Sequence, residues 1–222
     1  MLNGVDFNRD GRVDLLKTTD DVLATGGKFL RYLGWRRGQP WIEEVVVPDE
    51  MPWEEAGIHT TKPTSQWAAL GIKTRGGAAL AGKNLPASLI LPMGRKGPAF
   101  LSYPNFHVFL EWNKSLVYTT SAAYLAMRIN GAAKLRRGNP PAILSLDQAK
   151  ELQTLLQERG YDVGKIDGII GAGTRAAVRD MQLGLGQPAD AWPTLALLKR
   201  LNKSVGKKIK LPPPPRPRPK FP

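Results

Sequence analysis

Apolar side chains along this chain recur with three distinct rhythms, and each rhythm predicts a different kind of element. From Asp20 the series Val22, Leu23, Phe29, Leu30, Leu33 keeps to one face at helical spacing, and Gly34 ends it. An acidic loop precedes that helix within residues 1–35. Between Arg36 and Leu101 the rhythm changes to short β-type runs, Trp41 to Val47, Gly71 to Lys73 and Leu89 to Leu91. Frequent Gly and Pro separate them, which predicts a small sheet with loops and no long helices. Helical spacing returns over Asn105 to Ile129, through Phe106, Phe109, Leu110 and Trp112 and then Tyr118, Ala122, Tyr124, Leu125 and Ile129, and predicts a helix pair.

Residues 131–143 form a basic stretch bounded by glycine and proline, a predicted linker. Beyond it three more helical stretches follow: Leu146 to Arg159, Gly173 to Leu183 and Trp192 to Leu201. Turn signals at Gly160-Tyr161, at Asp167-Gly168 and over residues 184–190 lie between them. The predicted division is 1–130, a linker at 131–143, a helical unit at 144–201 and a tail at 202–222. The tail ends LPPPPRPRPKFP, which favours polyproline II and buries too little apolar surface to fold alone.

Composition narrows the chemistry. The 222 residues contain no cysteine, which excludes disulfides, thiolate metal sites and a cysteine nucleophile. His59 and His107 are the two histidines, too few for a convincing His-metal centre or a Ser-His-Asp arrangement. The net charge of +13 is unevenly placed: the tail carries seven Lys or Arg and no acid, whereas residues 144–201 balance at seven and seven. No nucleic-acid recognition motif accompanies the charge, so no nucleic-acid partner is expected. The basic tail would instead be drawn to anionic envelope polymers. No transmembrane segment and no secretion signal is visible.

The richest cluster is Ser88 to Tyr118, where Tyr103, Phe106, His107, Trp112, Asn113 and Tyr118 crowd together. Aromatic faces beside carboxamides suit a carbohydrate, whose C–H faces stack and whose hydroxyls need donors and acceptors. Rings that merely pack in a core would show the same spacing. The order of residues decides more. GPAFLSYPNF followed by WNKS and a nearby Tyr, with Gly34-Trp35, Trp67, Leu70-Gly71, Ser88-Leu89, Pro92 and Gly94, resembles the C-terminal part of the catalytic domain of membrane-bound lytic murein transglycosylase B and its relatives. The segment LSLDQAKELQTLLQERGYDVGKIDGIIGAGTRAAVRDMQ resembles the three-helix peptidoglycan-binding domain of wall-active enzymes.

These resemblances imply an α+β fold: part of a lysozyme-like domain with a small β-containing insertion, plus a C-terminal three-helix bundle. The implied activity is non-hydrolytic cleavage of peptidoglycan glycan strands to 1,6-anhydromuramoyl ends, in the periplasm or cell envelope. The implied substrate-binding residues are Tyr103, Asn105, Phe106, Trp112, Asn113, Tyr118 and Phe29, with Lys28 as the alternative to Phe29. In the bundle, Tyr161, Asp167, Arg175 and Gln182 are the candidates for glycan or stem peptide, Arg175 by pairing with a peptide carboxylate. The partners expected are therefore peptidoglycan glycan strands and stem peptides.

The family's acid is a single Glu in a Glu-Ser motif, raised in pKa by an apolar setting. The eight glutamates here are Glu43, Glu44, Glu50, Glu54, Glu55, Glu111, Glu151 and Glu158, and none precedes serine. The expectation is a chain without catalytic residues of its own, its Glu encoded further upstream, or a non-catalytic peptidoglycan-binding cell-wall protein derived from such an enzyme. Without the partner helices of a whole domain, Phe109 and Leu125 should be left uncovered. The lack of mutual support predicts two unequal melting transitions, or only one, from the bundle.

One further motif carries chemistry. Asp6-Phe7-Asn8-Arg9-Asp10-Gly11-Arg12-Val13-Asp14 places oxygens at alternate positions with glycine sixth, the opening of a Ca2+ loop. Lys17 stands where a bidentate Glu would close it. The family's longer loop points to Asp20, beside Asp21, so a structural Ca2+ on Asp6, Asn8, Asp10, the Arg12 carbonyl and Asp20 is expected.

Overall fold

The computed structural model describes residues 4–80 and 84–203. All but the first two residues of the Pro-rich tail, with its expected reach toward anionic polymers, lie outside them. Among the described residues seven α-helices and five strands follow in the order α1 (Thr19–Tyr32), β1 (Ile42–Val46), β2 (Lys62–Pro63), α2 (Thr64–Ala69), β3 (Lys73–Thr74), β4 (Pro86–Ile90), β5 (Ala99–Ser102), α3 (Pro104–Asn113), α4 (Leu116–Ile129), α5 (Leu146–Gln157), α6 (Ala172–Gly184) and α7 (Leu195–Lys203), with one turn of 3-10 helix at Trp53–Glu55 between β1 and β2.

The strands form one antiparallel sheet in the order β2-β4-β5-β1-β3. β5 is central, with Leu101 opposite both Leu89 and Glu43, and all four of its residues are buried. That double burial removes the in-out alternation that marks a strand in sequence, which is why β5 escapes a periodicity search. One face packs Ile42, Ile90 and Phe100 against Phe106 of α3 and Ala123 of α4. The opposite face packs Val45, Leu89 and Leu101 against Trp53, Trp67 and Ile72. Trp67 of α2 is fully buried, and its indole N–H donates to the Ala87 carbonyl at 2.8 Å. α2 is too short to show a helical period, so the run from Arg36 to Leu101 reads as strands and loops alone.

Lys114, in the left-handed region at φ 54°, breaks the predicted helix pair into α3 and α4. Ser115 then caps α4 by accepting the Tyr118 N–H. Pro104 opens α3, where a missing amide N–H costs nothing.

α5, α6 and α7 close around a separate core of Leu152, Leu156, Val178, Met181, Leu197 and Leu201. Ser145 and Gln148 form a reciprocal capping box at the start of α5. Gln153 is fully buried, donating to the Ile169 carbonyl and Thr174 Oγ1 and accepting from the Gly168 N–H. It ties the turn at Asp167-Gly168 to two helices.

The stretch predicted as a linker is tied down along much of its length. The Leu135 N–H donates to the Tyr124 hydroxyl, the Arg136 N–H to Glu44 Oε1 and the Asn139 N–H to the Lys96 carbonyl. The Arg75 guanidinium bridges Glu44 and the Lys134 carbonyl. A basic sequence between glycines thus follows the edge of the folded body because the partially buried Glu44 carboxylate is there to hold it.

The bundle also meets the sheet directly. Arg175 of α6 is largely buried and donates to the Leu91 and Pro92 carbonyls at 2.7 and 3.1 Å, its guanidinium lying over the Trp192 ring at 5.5 Å. Burial pulls its pKa below the usual arginine value, and the Asp190 carboxylate opposes that. Asp190 accepts the Arg95 N–H at 3.0 Å. At Gly94, φ +75°, a Cβ would fall 2.7 Å from the Trp192 Cβ, so only glycine allows the loop after β4 to reach the bundle this closely.

Candidate functional site

A row of rings runs across α1, α3 and the start of α4. Phe29 meets Trp112 edge-on at 5.8 Å, Trp112 meets Phe109 at 5.7 Å, and Phe109 stacks parallel to Tyr118 at 6.3 Å. Trp41 abuts Phe109 from the sheet side, and Tyr32 extends the row past Phe29. Trp112 is 47 % exposed, Tyr118 54 % and Tyr32 75 %. Rings held by neighbours yet open on one side present faces rather than filling a core. Gly26 makes the approach: a Cβ there would touch the tip of the Trp112 indole at 3.4 Å. Asn113, the exposed last residue of α3, stands at the end of this row.

The other rings and carboxamides of the cluster have structural tasks. Phe106 is fully buried beneath the sheet. Asn105, also fully buried, donates to the Arg36 and Gln39 carbonyls and accepts the Arg36 N–H, pinning the loop after α1. Tyr103 donates its hydroxyl to Glu43 Oε2 at 2.7 Å, and burial followed by the Glu43 carboxylate raises its pKa. The structure thus brings Phe29, Trp112, Asn113 and Tyr118 to a surface and leaves Tyr103, Asn105 and Phe106 inside. Tyr32 and Trp41 join the row unforeseen: Tyr32 sits one helical turn from Phe29 within α1, a spacing the sequence does record, whereas Trp41 meets Phe109 across elements, which no spacing records.

Among the glutamates, Glu111 is exposed and paired with Lys114, Glu44 is held by Arg75, and Glu43 takes the Tyr103 hydroxyl. His107 has its pKa lowered by burial, with Glu111 opposing.

In the acidic loop, Asp6 accepts the Asp10 and Gly11 N–H groups, Asn8 accepts the Asp10 N–H and Asp10 accepts the Arg12 N–H. Gly11 has φ +88°, the sharp turn expected at the sixth position. Asp21, and not Asp20, is the carboxylate that turns into the loop. Asp20 sits exposed in the first turn of α1, whereas Asp21 is fully buried and accepts the Phe7 and Asp14 N–H groups at 2.8 and 2.9 Å. These amides, Asp14 foremost, hold its carboxyl below the usual range. The helix frame rotates successive residues by about 100°, so one residue's slip turns the carboxylate from the loop to solvent. The oxygen-only donor set fits Ca2+ in kind. Among the described residues, no three His, Cys, Asp or Glu side chains stand together as a metal-holding group.

The four bundle candidates do not converge on one open surface. Asp167 is exposed and closes its own turn through the Ile169 N–H. Gln182 is buried, donating to Asp190 and the Trp192 carbonyl and accepting the Ala191 N–H. Arg175 faces the sheet, and Tyr161 packs half-buried against the bundle core, burial and then Asp180 raising its phenol pKa.

Residues 2–127 match the Transglycosylase SLT domain family, and residues 145–201 match a peptidoglycan binding domain. The chain belongs to the SLT transglycosylase family. It is similar to the solved structure of SltB3 from Pseudomonas aeruginosa in complex with NAG-anhNAM-pentapeptide, at 39 % identity and TM-score 0.79, covering 90 % of this chain and 55 % of that one. A second SltB3 structure, in complex with NAG-NAM-pentapeptide, has the same identity and coverage at TM-score 0.80. The chain therefore spans about half the length of these relatives. An Escherichia coli lytic transglycosylase, Slt35, solved in complex with calcium, is 24 % identical at TM-score 0.48 over 58 % of this chain and 40 % of that one. None of the curated proteins compared with the chain matches it. Among the described residues no helix is long and apolar enough to cross a membrane.

Proposed function

We propose that this SLT-family chain grips peptidoglycan in the periplasm or cell envelope, in the manner of the membrane-bound lytic murein transglycosylase B branch, and does not cleave it unaided. The observation that carries the reading is the half-open row Phe29, Trp112, Phe109 and Tyr118 with Asn113 at its end. A saccharide laid along it would stack its C–H faces on the rings and meet a carboxamide for its hydroxyl or N-acetyl groups. Tyr103 and Phe106 serve the same grip by fixing α3 to the sheet, and Asn105 by fixing it to the loop after α1. The bundle supplies the second hold, on the glycan or its stem peptides.

Cleavage is withheld because a glycosidic acid must sit where water and counter-charges are excluded. Glu111, adjacent to the row, is solvated and paired with Lys114. No glutamate of the chain stands in a Glu-Ser motif. We further infer that the loop from Asp6 takes a structural Ca2+ through Asp6, Asn8, Asp10 and the Arg12 carbonyl, with Asp21 stiffening its closure. Calorimetric titration should show calcium binding; none in the millimolar range would remove the ion from the account.

Pelleting with purified sacculi tests the grip. The wild-type chain should co-sediment, and Trp112→Ala with Tyr118→Ala should release most of it, at about 1–3 kcal/mol for the pair of lost stacking faces. Unchanged sedimentation of the double variant would sink the reading. Anhydromuropeptides released by the chain alone would overturn the absence of cleavage.

A further inference from the structure

Between the bundle and the sheet lies a cavity of about 350 Å³ that the aromatic row does not touch. Its walls are small and apolar, including Ile58, Ile90 and Leu116 on the sheet side and Ala172, Gly173 and Ala176 on α6. This is the size and lining of a small-ligand site rather than a packing defect. Its charged groups are unequal. Arg175 and Arg179 both line it, against one carboxylate, Asp190. That carboxylate is already committed, accepting from the Gln182 amide and the Trp192 N–H on one oxygen and from the Arg95 N–H on the other. Arg175 is committed too, to the Leu91 and Pro92 carbonyls. Arg179 is not: among the described residues its hydrogen bonds reach only the adjacent Asp180, both at 3.4 Å. The first turn of α6 also opens at the cavity, its N-cap is Gly171 without a capping side chain, and no acid stands in that turn. Helix amides and a loosely held guanidinium on the same helix favour an anion, while walls of Ala and Gly admit methyl-sized side chains.

We infer that this seam cavity binds the terminal carboxylate of a short peptide with small apolar side chains, Arg179 and the opening turn of α6 taking the carboxylate. Resting on the peptidoglycan reading above, the inference names the stem-peptide terminus as the ligand. It also assigns the peptide to Arg179 in place of Arg175, whose fork is spent on holding the two units together. The ligand would be clasped by both units at once, so occupancy would reinforce the seam.

The test uses the whole chain with acetyl-D-alanyl-D-alanine as probe, its C-terminal amide as control, and peptide-free glycan strands as a separate arm. Nuclear magnetic resonance titration should move the amide signals of Ala172, Gly173 and Ala176 with the acid. Affinity should fall at least about tenfold for the amide form, for Arg179→Gln, and for Ala176→Leu, which fills the hollow without altering charge. Both variants should still pellet with peptide-free glycan, because neither touches the aromatic row. Equal binding of acid and amide, indifference to both variants, or no shift in the millimolar range would overturn the seam site. Loss of glycan pelleting in the wild type with the dipeptide still bound would overturn the aromatic grip and leave the seam site standing.

Discussion

The two units use apolar residues in opposite ways. In the bundle, the helical stripe of α5, α6 and α7 is closed: Leu152, Leu156, Val178, Met181 and Leu201 have essentially no exposed surface. In the first unit α1 carries a comparable stripe and α4 is apolar on more than one side, yet Leu125, Val117 and Ile129 are 60, 78 and 79 % exposed and Trp112 and Tyr118 stand half open. A stripe declares that a helix has a face to cover; whether it is covered depends on an opposing element. Among the described residues α5, α6 and α7 supply one another's. Among these residues the outer face of α4 has no such counterpart, and the rings beside it stand as an open surface.

The sharpest way to break this comparison is to cut into the closed core. Leu156→Ala should destabilise the chain by about 2–5 kcal/mol, read as a drop in the denaturant midpoint, because the removed methyls leave a cavity that three packed helices cannot collapse. A loss below 1 kcal/mol would show the bundle to be less tightly closed than its burial implies.

Next comes the seam that joins the two units. Two unequal melting transitions, or one from the bundle alone, are what the sequence leads one to expect, whereas Arg175, Asp190 and Trp192 couple bundle to sheet. Calorimetry of the wild type should show one coupled transition or two strongly overlapping ones. Arg175→Ala should separate them and cost about 1–3 kcal/mol by leaving the partly buried Pro92 carbonyl without its donor and the Leu91 carbonyl with the Gly94 N–H alone. Well-separated wild-type transitions, unmoved by the substitution, would mean the seam carries no coupling.

Acid should weaken the first unit before the bundle. His107 has its folded pKa depressed by burial, so the unfolded state binds the extra proton first. Its contribution is intact above the unfolded value near 6.5 and is lost as pH falls through and below it. Asp21 is likewise depressed, so its contribution is present above the ordinary carboxylate range and is lost as pH falls through its own lowered value. Stability measured from pH 8 downward should show a first loss near pH 6 that His107→Gln abolishes and a later acid loss that Asp21→Asn abolishes. The smallest effect belongs to the open face: Leu125→Ala should change stability by less than about 0.5 kcal/mol while reducing self-association in light scattering. A loss comparable to that of Leu156→Ala would mean α4 has a partner after all.

Much of this was legible from residues alone, and the reasons are local. α5, α6 and α7 follow from a strict helical period with Ser145, Gly160 and the Asp167-Gly168 turn as punctuation, signals that need no distant partner. α1, β1 and the start of the Asp6 loop are of the same kind. The central strand β5 is not, since being buried on both faces erases the alternation that would reveal it. The aromatic cluster illustrates the limit within one helix. Phe106 and Phe109 are three residues apart in α3, yet one is sealed under the sheet and the other lies in the open row.

The order of residues thus determined the helical periods, the turns, the absence of thiol chemistry and the crowding of rings after Ser88, because these depend on neighbours within a few positions. Tertiary structure alone decided which rings face outward, that Asp21 and not Asp20 turns into the acidic loop, and that Arg175 rivets the bundle to the sheet. Each of those outcomes is set by contacts between residues distant in the chain. Their geometry depends on how helices and strands pack, and no local pattern encodes it.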